Sequence, residues 1–555
     1  MFSSGVMGGI VLKGYGFLCE VSFSGNSAPE MSFSMILDWA SSSFLMVVTM
    51  IAFSVLVFSS FYMGSDKHKS RFSWLVLLFV LSMMMLILVP NFLILMLGWD
   101  GLGLISFLLV ITYPTKESLG SGMITFITNR IGDVLFIITI AMSAYLMSWN
   151  FFDVGEGLSM LKILGFILLV GSITKSAQTP FSAWLPAAMA APTPVSTLVH
   201  SSTLVTAGIY VLIRFMGSVP MELGFLLFIL GTLTSLKGGL AAIFEMDLKK
   251  IIAMSTLSQL GLLVQCLGLG SVSICLFHLM THALFKSLLF ICAGVLIYCN
   301  KGVQDLRFIK EGLVEFPLIS CWMLISCFSM MGLPFMSGFF SKDLILEMMV
   351  VKGFSLGLAF GLWVPVVITS IYSVILLSKS LFGSSVGVVS GNCMASGLSW
   401  VINVPISLLG MFSMIGGCMI SNLFGASHFF FFFFSSTMKM FFFLSPMVAF
   451  CLVLILMVFI EEGGFFSEFW GSFLGKLWFS PFFSGSLIFY FLANCNNKVV
   501  KEVESGWVEN CFGVRSFKLL ASDLIMKFNK KGEFIGKYLS SGIIVSLVLM
   551  VFMYY

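Results

Sequence analysis

Apolar residues in this chain come in long, nearly unbroken runs. They cover positions 36–63, 73–89, 91–112, 119–147, 161–191, 197–215, 220–245, 249–268, 271–298, 314–350, 355–382, 400–424 and 438–461. Each run is long enough for one bilayer crossing, which takes about 20 residues of helix. Continuity rather than alternation points to helices and away from a membrane barrel. Two runs, 161–191 and 314–350, are unusually long and carry breakers near their middles: Gln178–Pro180 in one, Gly332–Leu333–Pro334 in the other. Each predicts a single crossing by a discontinuous helix. Before Ile36 the pattern is weak, because Val6–Leu18 is apolar but interrupted by Lys13 and glycines. After Ile460 it changes: 463–497 is aromatic-rich, and Lys498–Lys537 sets Val500, Val503, Trp507, Cys511 and Val514 among Lys, Arg and Glu. Spacings of three and four predict an amphipathic lateral helix along a membrane surface. Gly542–Tyr555 reads as a short closing span.

The predicted fold class is therefore an all-α polytopic membrane protein with about 14–15 transmembrane helices. Residues 73–215 and 220–382 each contain five crossings with the broken helix fourth. An odd number forces a second copy to enter the membrane upside down. Two inverted five-helix repeats meeting at discontinuous helices place an ion site near mid-membrane. The predicted division is N-terminal helices at 1–72, repeats at 73–215 and 220–382, and further helices and a connection at 383–497. The lateral helix follows at 498–540 and a terminal transmembrane helix at 541–555.

Composition agrees with this picture. The 555 residues are 59% hydrophobic and 10% charged, which excludes a soluble protein whose surface would otherwise be largely oil. A net charge of +4 is small and lies in loops, so nucleic acid is not a partner. The 12 cysteines are scattered without CxxC pairs and read as small core residues. Alternate loops hold Lys67, Lys69 and Arg71; Lys116; Lys249 and Lys250; and Lys301, Arg307 and Lys310, with Lys352 the main exception on the other side. The positive-inside rule puts the first set in the cytoplasm or matrix. The N-terminus lacks the marks of a cleaved signal or an Arg-rich presequence, so either synthesis beside the membrane or insertion by the chain's own spans is expected.

Ionisable residues inside the apolar runs carry the chemistry. A charge at membrane depth costs about 2.5–3.5 kcal/mol even on the mildest scale, so such groups usually mark an ion pathway. Gly171–Gly208 holds Lys175, Pro180 and His200, and Lys175 has no short route to water. Asp100, in LGWDGLGLISFLL, needs a cationic partner or bound water, and Lys175 is the best candidate. Arg130 and Asp133, in TNRIGD, are one turn apart and can pair, either as a structural lock or as part of the path. In CLFHLMTHALFKSLLF, His278, His282 and Lys286 follow one another at i,i+4 and form a polar stripe. HxxxH can bind zinc, but the adjacent lysine and the absence of an acidic third ligand favour a proton relay over a metal. Lys342 and Asp343, in FFSKD, are a counterpart in the second block or a loop ion pair at the surface. Lys237 is a supporting member, and Asp247, Lys249 and Lys250 read as solvated. No phosphate loop, nucleophile with its base, cysteine ligand set or haem motif is visible.

The motifs NRIGD, KSAQ, WLPAAMAAPTPVS, DLKKIIA, FHLMTHALFKSLLFICAG, QDLR and SGFFSKDLILE resemble those of the NADH–ubiquinone oxidoreductase chain 5 family, densely over residues 36–382. The resemblance implies an antiporter-like, proton-translocating subunit of respiratory complex I, driven by electron transfer from NADH to ubiquinone elsewhere in the complex. It implies no cofactor in this chain, with NADH, FMN, iron–sulfur clusters and ubiquinone held by other subunits. Its partners would be membrane-arm subunits, above all the neighbouring antiporter-like one, and the bilayer, cardiolipin included, in the mitochondrial inner membrane. Carried onto these residues, Asp100 pairs with Lys175, His200 follows, His278, His282 and Lys286 form the second relay, and Lys342 is the outlet. Many relatives carry Glu where this chain has Asp100. The alternatives are a separate cation/proton antiporter subunit and a non-conducting scaffold.

Overall fold

The computed structural model describes residues 16–22, 32–145, 149–150, 158–216, 221–309, 316–351, 356–381, 400–424, 471–482 and 488–499, with a few single positions beyond. Its elements form two units, Met1–Pro481 and Phe482–Tyr555.

The first unit opens on strands, where helices were expected. Strand β1 (Phe17–Ser22) pairs antiparallel with β2 (Ser32–Leu37), with Phe17 opposite Leu37. The sequence FLCEVS is too short and too polar for a span. The alternation of SFSMIL suits a ladder that satisfies its own backbone groups. Residues 1–15, including most of Val6–Leu18, lie outside the described residues.

From Asp38 the chain is helical. The helices are α1 (Trp39–Tyr62), α2 (Lys69–Leu88), α3 (Phe92–Val110), α4 (Lys116–Tyr145) and α5 (Leu158–Lys175). Then come α6 (Thr193–Ser201), α7 (Leu204–Phe215), α8 (Met221–Phe244), α9 (Leu248–Gly268) and α10 (Val272–Cys299). The unit closes its main bundle with α11 (Pro317–Met331), α12 (Ser337–Val351), α13 (Leu356–Leu381) and α14 (Trp400–Phe424). Among the described residues, 10 helical stretches are long and apolar enough to cross a membrane. Asp38 starts α1 with a capping box: its carboxylate accepts from the Ser41 amide at 3.0 Å, and Ser41 Oγ accepts from the Asp38 amide at 2.9 Å. The same carboxylate takes two hydrogen bonds from Arg214 near the end of α7, at 2.5 and 2.8 Å, tying the two helix ends together.

Burial separates inner from outer helices. Every residue of the apolar windows of α10 and of the α6–α7 stretch is buried, and α9 is nearly so. Helix α4 instead turns Ile124, Ile127, Ile131, Val134 and Ile137 outward, as a lipid-facing or partner-facing helix does. Close approach of α8 and α9 rests on small residues: a Cβ on Gly261 would come within 2.6 Å of the Ser235 amide.

Both expected breaks are present. Helix α5 stops at Lys175, Ala177 adopts φ 54°, and three short helical turns run from Phe181 to Ala190 before α6. Pro180 has no amide to donate, and Pro186 and Pro192 keep the backbone from settling into one helix. Helix α11 is capped by Gly332, whose φ of 86° is the left-handed conformation that glycine reaches without strain, and α12 begins five residues on. A further interruption at Ser202–Thr203 separates α6 from α7.

Of the second unit, the described helix is α15 (Ile488–Val499). The expected lateral helix, apart from its first two residues and a few single positions, and the whole terminal span lie outside the described residues.

Candidate proton-relay site

The first cluster lies where α3, α4 and α5 meet. Lys175 is fully buried on the last residue of α5, and its Nζ donates to the Trp99 carbonyl at 2.5 Å. The same ammonium sits 3.8 Å from the centroid of the Trp99 ring, a cation–π contact in a buried setting. Trp99 Nε1 in turn donates to Asp133 Oδ1 at 2.9 Å. Asp133 pairs with Arg130 at 3.2 Å, one turn away on α4, and Arg130 pairs with Asp100 at 3.2 Å. The order is thus Lys175, Trp99, Asp133, Arg130, Asp100. Close contact of α4 with α5 is allowed by Gly132, where a Cβ would collide with Thr174.

This corrects the expected pairing. The ion partner of Asp100 is Arg130, not Lys175. The reason is direction around α3. The Asp100 side chain keeps 35% of its exposure on the outer side of the helix, and Arg130 keeps 37%. The lysine is met instead by the backbone and ring of the preceding residue. The buried carboxylate of the cluster is Asp133, and Trp99 was not anticipated as its link to Lys175. The signal for it, an indole beside Asp100 in the middle of an apolar run, was present in the sequence.

The break after Lys175 is stapled rather than loose. Trp184 Nε1 donates to the Thr174 carbonyl at 2.9 Å, and Thr234 Oγ1 on α8 donates to Gln178 Oε1 at 2.6 Å. Lys237 donates to Ser182 Oγ at 3.0 Å, so it supports the break rather than joining another charge. Lys249 is also buried and donates to the Ala191 carbonyl at 3.3 Å. It was expected in solvent, but it opens the deeply buried helix α9. Asp247 and Lys250 do form a partly exposed pair, at 2.6 Å.

His200, on α6, is buried with its ring between Trp184 and Phe290, at centroid distances of 6.3 and 6.5 Å. Its Nδ1 has no hydrogen-bond partner among the described residues.

The second cluster is on α10, whose apolar window is wholly buried. His278 Nδ1 shares a hydrogen bond of 2.9 Å with Ser341 Oγ on α12, and its Nε2 has no partner among the described residues. His282 is buried in a T-shaped contact with Phe285, and neither ring nitrogen has a partner among the described residues. Lys286 donates to Ser255 Oγ at 2.6 Å and to Met330 Sδ at 3.0 Å. Lys342 donates to the Met330 carbonyl and to Thr369 Oγ1, the latter at 3.2 Å. It is buried within α12 and points back to the end of α11, which sets aside the surface-loop alternative; Asp343 beside it is half-buried. Ser255, Ser341, Thr369 and Met330 could not be singled out beforehand, because serine, threonine and methionine are frequent throughout the apolar runs. Among the described residues, no three of His, Cys, Asp and Glu converge on a metal position.

A bundle of membrane-crossing helices with two discontinuous crossings, each carrying a buried lysine at its break, defines a polytopic antiporter-like membrane protein. The comparisons agree. Residues 89–375 match the family described as NADH:quinone oxidoreductase/Mrp antiporter, transmembrane. Residues 26–73 match the N-terminus of complex I chain 5, and residues 372–553 the C-terminus of NADH dehydrogenase subunit 5. NADH-ubiquinone oxidoreductase chain 5 of Locusta migratoria is 39% identical over 495 residues, covering 88% of this chain and 86% of that one. That of Aedes aegypti is 44% identical over 392 residues, covering 70% and 67%. Among solved structures, the Mrp complex from a Dietzia species matches with a TM-score of 0.70 at 22% identity, over 99% of this chain and 59% of that one. The archaeal membrane-bound sulfane sulfur reductase matches with a TM-score of 0.67 at 20% identity, over 77% and 89%. These last two likenesses are of fold. The chain belongs to the NADH–ubiquinone oxidoreductase chain 5 family.

Proposed function

We propose that this chain translocates protons as a membrane subunit of respiratory complex I, with Asp100, Arg130, Asp133, Lys175, His200, His278, His282, Lys286 and Lys342 along its path. One observation carries the reading. Lysines and histidines are buried on the enclosed helices α6 and α10 and beside the breaks on α5 and α12, and the ammonium groups among them are held by carbonyls, hydroxyls, a ring and a sulfur. A group held in that way, out of water, keeps its proton only while its partners favour the charge, so small movements shift the proton. The broken helices supply the movement, because a crossing in two pieces can shift at its joint. Imidazole nitrogens without a partner among the described residues, on His200, His278 and His282, are positions from which a bridging water can pass a proton on.

In this reading the blocks 73–215 and 220–382 are the two inverted repeats, each with its own lysine at a break. Electron transfer belongs to other subunits, which hold NADH, FMN, the iron–sulfur clusters and ubiquinone. The neighbouring antiporter-like subunit is the main partner, residues 498–540 brace the membrane arm, and the site of action is the mitochondrial inner membrane. The test has two arms. On a native gel the chain should co-migrate with NADH-oxidising activity; migration apart from it would favour a separate antiporter. In the intact complex, His282→Ala combined with Lys342→Met should lower the protons moved per NADH oxidised. An unchanged ratio would make the chain a scaffold.

A further inference from the structure

Lys286 and Lys342 reach the same residue from two sides. Lys286 Nζ lies 3.0 Å from Met330 Sδ, and Lys342 Nζ donates to the Met330 carbonyl. Met330 is the penultimate residue of α11, just before the left-handed turn at Gly332. The carbonyls of Phe328 and Ser329 are taken up by the amides of Gly332 and Leu333, so the Met330 carbonyl is left over at the negative end of the helix dipole. That makes it a good seat for an ammonium, which Thr369 completes at 3.2 Å. On the other side, the partners of Lys286 are the thioether and the Ser255 hydroxyl. Tyr372, fixed by Ser258 at 3.0 Å and Gln259 at 3.3 Å, approaches the same sulfur at 3.9 Å. Five helices, α9 to α13, therefore meet around one methionine.

We propose that Met330 is a positioning residue of the second cluster, registering Lys286 through its sulfur and Lys342 through its carbonyl at the broken end of α11. The inference rests on the reading of these lysines as proton carriers. A thioether is a weak acceptor and a polarisable one. It holds the Lys286 ammonium in place without binding it as firmly as a carboxylate would, so the proton stays transferable. Because both contacts come from one residue, a shift of the α11 end moves the seats of both lysines at once, which links the break to the proton path.

Methionine and leucine have similar volumes, so Met330→Leu keeps the packing and removes only the acceptor. In the intact complex reconstituted in liposomes, Met330→Leu should slow proton transfer through this chain roughly tenfold, the effect of losing one hydrogen bond to a charged group. It would be read as a lower proton-to-electron ratio with unchanged assembly. Met330→Gln, whose amide oxygen restores an acceptor at about the same reach, should recover part of that ratio. A Met330→Leu complex that pumps like the unaltered one would overturn the inference. So would a Met330→Gln complex no better than Met330→Leu, since the loss would then be one of packing. Lys286→Met is the control. If it lowers the ratio while Met330→Leu does not, the positioning role alone falls. If Lys286→Met also leaves the ratio unchanged, the proton-carrier reading of Lys286 falls with it.

Discussion

Lys175 and Trp99 touch twice: the ammonium donates to the Trp99 carbonyl at 2.5 Å and lies 3.8 Å from the centre of its ring. The indole N–H of the same tryptophan points the other way, to Asp133 at 2.9 Å. Trp99 is therefore the joint through which the buried lysine feels the charged pair on α4. Trp99→Phe keeps an aromatic face but removes the donor to Asp133, while Trp99→Leu removes both. A cation–π contact away from water is worth about 2 kcal/mol. The expected order of proton pumping is unaltered chain, then Trp99→Phe, then Trp99→Leu, measured as protons moved per NADH oxidised.

The two aspartates of this cluster should not be equivalent. Asp133 is buried and bonded to Trp99, whereas Asp100 is a third exposed and forms its salt bridge with Arg130. Asp133→Asn leaves a buried site with a changed donor pattern and should disturb Lys175 more than Asp100→Asn does. Pumping measured on both variants checks this, and the reverse order would support a direct Asp100–Lys175 pair.

Stability at low pH should depend on Asp38. Burial works to raise its pKa, but the hydrogen bonds and charge of Arg214 and the Ser41 cap outweigh it and hold the carboxyl at about 2 instead of 3.8. A carboxyl with a depressed folded-state pKa contributes stability that is fully present above its unfolded value. That contribution is lost as the pH falls from 3.8 through about 2. Asp38→Asn should cost about 1–3 kcal/mol at neutral pH by leaving Arg214 without its charge partner. It should also flatten the loss of thermal stability between those two pH values, read from melting in detergent.

Packing of α8 on α9 should fail at Gly261. A Cβ there would come within 2.6 Å of the Ser235 amide and 2.8 Å of the Gly231 carbonyl, both backbone atoms that cannot swing away. Gly261→Val should lower stability by about 1–3 kcal/mol or more. Reduced incorporation of the chain into the complex would report it.

Much of this was legible in the chain. The apolar runs at 249–268 and 271–298 correspond to α9 and α10 almost to the residue, because uninterrupted apolar sequence has one solution in a bilayer. Pro180 and the Gly332–Pro334 stretch announced the two breaks for the same local reason. The interruption at Ser202–Thr203 was not announced, having neither proline nor glycine to mark it. Partner choice was legible only in part. Spacing put Arg130 and Asp133 on one face of α4, and they do pair. It could not say which way Asp100 points around α3, since that depends on how the helices are rotated against one another. Lys249 was misplaced because a lysine beside an acidic residue near a helix start looks the same whether the helix opens into water or into the bundle. The β1–β2 pairing was hidden by shortness: six-residue strands give too little pattern beside runs of twenty or more.

The central claim is that buried ionisable groups at the helix breaks carry protons. Its most direct test is the proton-to-electron ratio of the intact, correctly assembled complex bearing Lys175→Met, a substitution that fills the same space without an ammonium. The account predicts a lower ratio at normal assembly. A ratio equal to that of the unaltered complex would contradict it.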